Sequence, residues 1–311
     1  MKLSAKIDWV KIRKLILPLT LGIILVLLPA FYTEPLIFHI LTLANIYAIF
    51  SVSWDVIYGY AGQVSLGHAL FFGGSAYLSA FLTNYGLTQY LCIIVSGAVM
   101  AGVSLLAGAP SLKLKGPYLA LATLAFSEAI RATLMAFPKV SGGEEGLRTT
   151  SMLKGVTPYY YLTLMTMLVT VTCLHYIANH MLRLPFMAIR EDEEASEASG
   201  INTAKYKLLA FMISAFFSAI AGSLYVYYMR VALPRMLSLD TQLIAVCSVV
   251  LGGMGTIIGP VIGAYIVTVL SQLLSIFIPR GAVLVYAIIT FLFVAIFPGG
   301  LMSFLIKPRK R

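Results

Sequence analysis

Apolar residues run along this chain in long blocks rather than in alternation. The blocks are 15–31, 36–58, 65–83, 90–110, 117–137, 158–182, 208–229, 240–255, 257–278 and 283–305. Each approaches or exceeds the ~20 residues a helix needs to cross a hydrocarbon core. In lipid every backbone amide and carbonyl must be bonded internally, so unalternating runs of this length predict helices rather than strands. The expected fold is all-α: a polytopic integral membrane protein with about 8–10 transmembrane helices, some broken by glycine or re-entrant. The third run (65–83) and the eighth (240–255) are the weakest. If both are re-entrant, eight spans remain and the sidedness is unchanged. Residues 1–311 are expected to form one transmembrane domain.

Composition agrees with this pattern. Of 311 residues, 60% are hydrophobic and 11% charged, and the mean hydropathy is +0.92, which excludes an ordinary soluble domain. A net charge of +10 would suit nucleic acid, but the bases cluster beside apolar runs, where Lys and Arg set membrane orientation. No nucleic-acid partner is expected. Taking the first span to start inside, fifteen of the 22 Lys and Arg fall on the side that holds both termini and the 183–207 loop. Six fall on the other side, with Arg131 inside a span. Both termini and that loop are therefore expected in the cytoplasm. Lys2, Lys6, Lys11, Arg13 and Lys14 ahead of the first run mimic a signal peptide. Its Leu28-Pro29-Ala30 end lacks the small-x-small cleavage pattern, which predicts an uncleaved span.

The 183–207 loop is the main polar interruption, with five acids in seven positions: Glu191, Asp192, Glu193, Glu194 and Glu197. Following Arg190, Glu191 to Glu194 are expected in the first turn of a short helix, where carboxylates favour the positive end of the dipole. Ala195, Ala198 and Ser199 give that helix a smooth small-residue face. Gly200 is its stop and Asn202 caps the next segment. Taken alone, such a run reads first as a solvated acidic connection between two membrane helices.

A second unusual stretch is 59–74, where five glycines, Gln63, Ser65 and His68 interrupt apolar sequence. Broken backbone at membrane depth is tolerated where it is buried or lines a cavity. Gly62, Gln63, Ser65, Gly67 and His68 are the candidates for such a path, against helix packing for Gly73, Gly74 and Gly67. Glu128 and Arg131, three apart, read as an internal ion pair or as pathway lining. Asp55 reads as interfacial and Asn45 as a bond between helices. Gly252, Gly253, Gly255, Gly259 and Gly263 suit close helix packing, with Pro260 breaking or bending the helix. Pro138 to Gly146 opens a turn-rich surface loop extending to 157. Cys92, Cys173 and Cys247 fall in expected spans and read as small apolar residues.

Catalytic chemistry finds little footing. There is no Gly-Lys dipeptide, hence no phosphate-binding GxxxxGK[ST] loop, and no HExxH, GxSxG or paired-cysteine motif. His39, His68, His175 and His180 lack ligand spacing, so no catalytic or metal residues are assigned.

Three blocks, in order, resemble the LivM/LivH permeases of branched-chain amino acid ABC transporters. They are GYAGQVSLGHALFFGGSAYLSA at 59–80, AIREDEEASEASGIN at 188–202 and VVLGGMGTIIGPVIGA at 249–264. The resemblance implies a permease subunit in a bacterial or archaeal plasma (inner) membrane. Its partners would be a LivH-like second permease, two cytosolic ATPases and an extracytoplasmic solute-binding protein. The 138–157 loop would help receive the last of these. This chain would bind no cofactor, the ATP and Mg being used by the ATPases. Arg190, Glu191, Asp192, Glu193, Glu194, Glu197 and Gly200 would belong to the helix that couples to them. Leucine, isoleucine or valine is the substrate by family frequency, with urea, short amides and aromatic acids known elsewhere in the family. An ion-coupled secondary transporter or channel, using Glu128, is the alternative reading.

Overall fold

The computed structural model describes residues 34–277, 285, 288 and 300–302. The expected first span at 15–31 lies outside them, as does nearly all of 283–305.

The described chain is a helical bundle. Helix α1 (Pro35–Asp55) runs on into a π-helical turn, Val56–Tyr60. It is followed by α2 (Ala69–Asn84), α3 (Gln89–Gly108), α4 (Pro117–Ala136) and the single turn α5 (Pro138–Ser141). Next come α6 (Val156–Tyr176), extended by a second π-helical turn, and the short pair α7 (Arg183–Glu191) and α8 (Glu193–Ala198). Helices α9 (Thr203–Met229), α10 (Leu239–Gly252) and α11 (Ile258–Phe277) complete it. Six of the described helices are long and apolar enough to cross a membrane, namely those starting at Pro35, Gln89, Pro117, Val156, Thr203 and Ile258. The chain is thus an all-α polytopic membrane protein.

Helices α1 and α9 form the centre. In the most apolar window of the first span 67% of residues are buried, against 22% in α4. Between helices in lipid the hydrophobic drive is weak, so small residues and cross-helix hydrogen bonds must hold the bundle. Ser53 on α1 bonds Ser218 on α9 at 2.7 Å, and Ser79 on α2 donates to Ser223 on α9 at 2.8 Å. Asn45 binds across helices as expected: its amide donates to Thr163 on α6 at 3.2 Å, and the Tyr265 hydroxyl on α11 donates to its oxygen. A Cβ on Gly222 would overlap the Phe72 carbonyl, so α9 and α2 touch backbone to backbone.

The two weakest expected spans are the two that the structure shortens. Helix α2 has 16 residues and α10 has 14, or ~24 and ~21 Å, too short for a ~30 Å core. The start of α2 is fixed by His68, which bonds Ser214, eleven residues into α9 and so ~16 Å along it. Helix α10 starts at the same level, because the Gln242 side chain accepts from the Ala69 amide at 3.0 Å. Helix α2 then runs to the end where Asn84 donates to the Arg148 carbonyl. Helix α10 runs to the opposite end, where Gly255 meets Asp55. Two half-helices therefore begin together at mid-depth and leave in opposite directions.

Three sequence expectations are corrected. The 138–157 loop is more than turns: β1 (Leu147–Arg148) pairs antiparallel with β2 (Val231–Ala232), Leu147 opposite Ala232. Pro260 does not bend a helix, because it is the third residue of α11, where the missing N–H has no intrahelical acceptor to lose. Gly253 (φ 118°) and Gly255 (φ 70°) lie outside the helices and make the turn between α10 and α11. Gly252, Gly259 and Gly263 do bring those helices together, since a Cβ on Gly252 would overlap the Gly259 carbonyl and one on Gly263 the Ser248 carbonyl. Cys92 and Cys247 are buried and Cys173 is exposed; all three are free thiols.

Candidate functional site

The acidic loop folds as two helices rather than one. Asp192 (φ −157°, ψ 113°) is extended, and its carboxylate accepts from the Glu194 and Ala195 amides at 2.9 and 3.0 Å. It is therefore the N-cap of α8, and Glu191 ends α7 instead of opening the acidic helix. At the far end Gly200 (φ 85°) donates to Glu197 and Ile201 donates to Ser196, both through the backbone. That pair of bonds is a Schellman stop. The Asn202 side chain then caps α9 by accepting from the Lys205 amide at 3.0 Å.

The acids divide by role. Glu193 turns inward to Lys207, whose side chain is 1% exposed, and lies 3.9 Å from Lys115. Glu197 accepts from the Thr203 hydroxyl. Glu194 stays exposed, 3.5 Å from Lys115, and Glu191 is exposed as well. Ala195, Ala198 and Ser199 are exposed together and leave α8 with an open small-residue face. Phe186 and Ile189 anchor α7 from below.

Arg190 ties this loop to the transmembrane body. Its guanidinium donates to the Gly59 carbonyl in the π-helical turn of α1. Beside that carbonyl lies Asp55. It stands at the end of its span, as expected, but is fully buried in protein, and its Oδ1 accepts from the Gly255 amide at 2.8 Å. The amides of Thr256 and Ile257 face the same carboxylate. A side chain on Gly59 would overlap the Asp55 carboxylate and crowd the Gly255 amide. Gly62 (φ 70°) lies against the Arg190 backbone, 3.0 Å from where its own Cβ would be. Three segments remote in sequence, 55–62, Arg190 and 255–257, thus converge around Asp55.

Above this junction, residues 61–68 rise without regular structure to mid-depth. The Trp54 indole donates to the Ser65 carbonyl at 2.7 Å. His68 is buried with both ring nitrogens engaged, Nδ1 with Ser65 at 2.9 Å and Nε2 with Ser214 at 2.8 Å. Gln63 is buried and contacts the Ala61 carbonyl only loosely, at 3.4 Å. Gly67 packs so closely on α4 that a Cβ would overlap the Thr123 carbonyl, and the Leu66 amide donates to the Thr123 hydroxyl at 3.1 Å. One turn further along α4, Ser127 donates to the carbonyl of Leu237 at 2.8 Å, in the 3-10 turn Pro234–Leu237 ahead of α10. Helix α4 therefore holds both broken segments at mid-depth.

Glu128 and Arg131 pair at 2.6 Å on that helix, 35% and 34% exposed. They are neither fully buried nor in contact with His68, which points into α9. Sequence reasoning missed Asp55, Thr123, Ser127 and Gln242. Asp55 and Gln242 left a signal, as isolated polar residues in apolar runs. Among the described residues no group of three or more His, Cys, Asp or Glu could hold a metal ion.

Comparison with known proteins adds a family. Residues 36–297 match the family described as branched-chain amino acid transport system / permease component. The high-affinity branched-chain amino acid transport system permease protein LivM of Salmonella typhimurium is 31% identical over 267 residues, 76% of this chain. The chain spans 63% of that relative's length. The probable branched-chain amino acid transport permease protein LivM of Methanocaldococcus jannaschii is 26% identical over 78% of this chain and 82% of its own length. The ribose import permease protein RbsC of Haemophilus influenzae is 26% identical over 82% of both chains. No solved structure matches.

Proposed function

The chain belongs to the family of permease components of branched-chain amino acid transport systems, and from that premise we propose that it is one transmembrane half of an ATP-driven importer. Its substrate is a branched-chain amino acid or a similar small polar solute. The observation that carries the reading is the Arg190–Gly59 bond, which fastens a protruding helix pair to a broken transmembrane segment. A partner ATPase seated on the exposed Ala195, Ala198 and Ser199 face would move α7 and, through Arg190, the turn of α1. The positive-inside count supports placing that helix pair in the cytoplasm of a bacterial or archaeal cell, with the β1–β2 ribbon outside. There a solute-binding protein would dock. Helix α4 is the least covered of the six spans and braces both half-helices. A second, LivH-like permease packed beside it would complete a path near Glu128 and Arg131.

The positive ends of α2 and α10 meet at mid-depth, an arrangement suited to the carboxylate of an amino acid. The ribose permease among the relatives keeps the solute class wider than amino acids. Family membership and the Arg190 tether support the importer over an ion-coupled carrier. Glu128, the carboxylate such a carrier would use, is already held by Arg131. The test is to purify the chain from its native membrane under mild conditions. Co-purification of an ATPase whose activity falls when α8 is altered supports the reading. A chain that purifies alone and conducts solute without an ATPase contradicts it.

A further inference from the structure

Asp55 is fully buried, and a buried carboxylate is costly unless it is partnered. One oxygen accepts from Gly255, while Oδ2 has no complete hydrogen bond among the described residues. The Arg190 guanidinium acts on Asp55 through space. The two make no ion pair within 4 Å, the pairs among the described residues lying elsewhere. Arg190 is instead bonded to Gly59, whose missing side chain leaves the Asp55 carboxylate directly alongside. The same guanidinium borders Gly255, lying 3.3 Å from where a Cβ on that glycine would stand. Arg190 thus stands beside both a carbonyl that it bonds and a carboxylate whose second oxygen is open. The Gly62 backbone packs against Arg190 on the same side.

We propose that Asp55 and Arg190 are positioning residues of a two-position latch, Arg190 bonding Gly59 in one access state and Asp55 in the other. In the first position α7 reaches the 253–257 turn only at second hand, through Gly59, α1 and the Asp55–Gly255 bond. In the second position the guanidinium is held by the same carboxylate that holds Gly255, so α7 is joined to that turn through one shared side chain. The latch thereby sets how directly the ATPase stroke reaches the second half-helix. This rests on the importer reading given above.

The experiment uses the intact transporter reconstituted with its ATPases, comparing solute moved per ATP hydrolysed in wild type, Asp55→Asn, Arg190→Gln and the double variant. A wild-type complex that hydrolyses ATP without moving solute, or fails to assemble, contradicts the importer reading and is thereby told apart from failure of the latch. Given coupled wild-type transport, each single variant is expected to lower solute per ATP by about fivefold or more, while ATPase activity and assembly persist. The double variant is expected to be no worse than the weaker single one. Wild-type ratios in both single variants, or losses that multiply in the double, overturn the latch. Should the variants fail to insert, hydrogen exchange on the unmodified complex decides. Protection of amides 253–257 changing together with 186–192 between nucleotide-free and ATP-bound states supports it; change confined to 186–192 overturns it.

Discussion

Arg190 donates to the carbonyl of Gly59, 131 residues earlier in the chain, and so joins the one strongly acidic loop to the one glycine-broken turn of the first described helix. Gly59 also lets α1 close on its own carboxylate, since a Cβ there would overlap Asp55 and the Gly255 amide. A short-helix loop and a span-forming helix are thus in direct mechanical contact, without an intervening flexible linker.

Gly59→Ala is expected to break this junction. The methyl group must displace either Asp55 or the Gly255 amide, and overpacking of this kind costs about 1–3 kcal/mol. The expected readout is a lower apparent Tm of the detergent-solubilised protein. Gly102→Ala is the control. Gly102 is helical with nothing within 4 Å of an added Cβ, so its Tm should rise or hold.

Glu193 has a structural duty that its charge alone conceals. It is the partner of a nearly fully buried lysine, Lys207, and removing one member of a buried pair costs about 3–5 kcal/mol. Glu193→Lys would set two ammonium groups against each other and should reduce membrane abundance as well as coupling. The pair Glu193→Gln with Lys207→Met should recover most of the abundance lost in Glu193→Gln alone. Quantitative immunoblotting of membrane fractions reads this directly.

The α8 face can be challenged without disturbing the fold. Ala195 is exposed and its side chain is not needed by the cap, which uses its amide. Ala195→Trp should leave abundance and Tm unchanged yet diminish ATPase capture in a pull-down by tenfold or so, about 1.4 kcal/mol of docking. Unchanged capture would free that face from the role given to it.

Capping makes a smaller and separate prediction. Asp192→Ala should loosen α8 by about 1 kcal/mol, seen as faster amide exchange at Glu194 and Ala195. Gly200→Ala should act similarly through its left-handed φ alone, because nothing lies within 4 Å of the added methyl.

The sequence carried the helical plan well, since helix ends in lipid follow where apolar runs stop. The expected run at 117–137 became Pro117–Ala136, and 90–110 became Gln89–Gly108. Gly200 and Asn202 were readable because turn and cap chemistry is local. The split of the acidic helix was not, because Asp192 serves equally as a first-turn acid or as a cap, and only the chain's path selects between them. Burial of Asp55 was hidden for a different reason. Its partners, Gly255 and Arg190, lie far along the chain, and nothing local distinguishes a buried carboxylate from an exposed one at a span end. Likewise the shared starting level of α2 and α10 depends on a single long-range bond, Gln242 to Ala69.

The central claim is that solute movement is driven by an ATPase acting through the Arg190-tethered helix pair. Its most direct measurement is solute uptake by proteoliposomes holding the purified complex, with ATP supplied and every ion gradient collapsed. The account predicts uptake that requires hydrolysable ATP and persists without a gradient. Uptake that ignores ATP and vanishes with the ion gradient would contradict it.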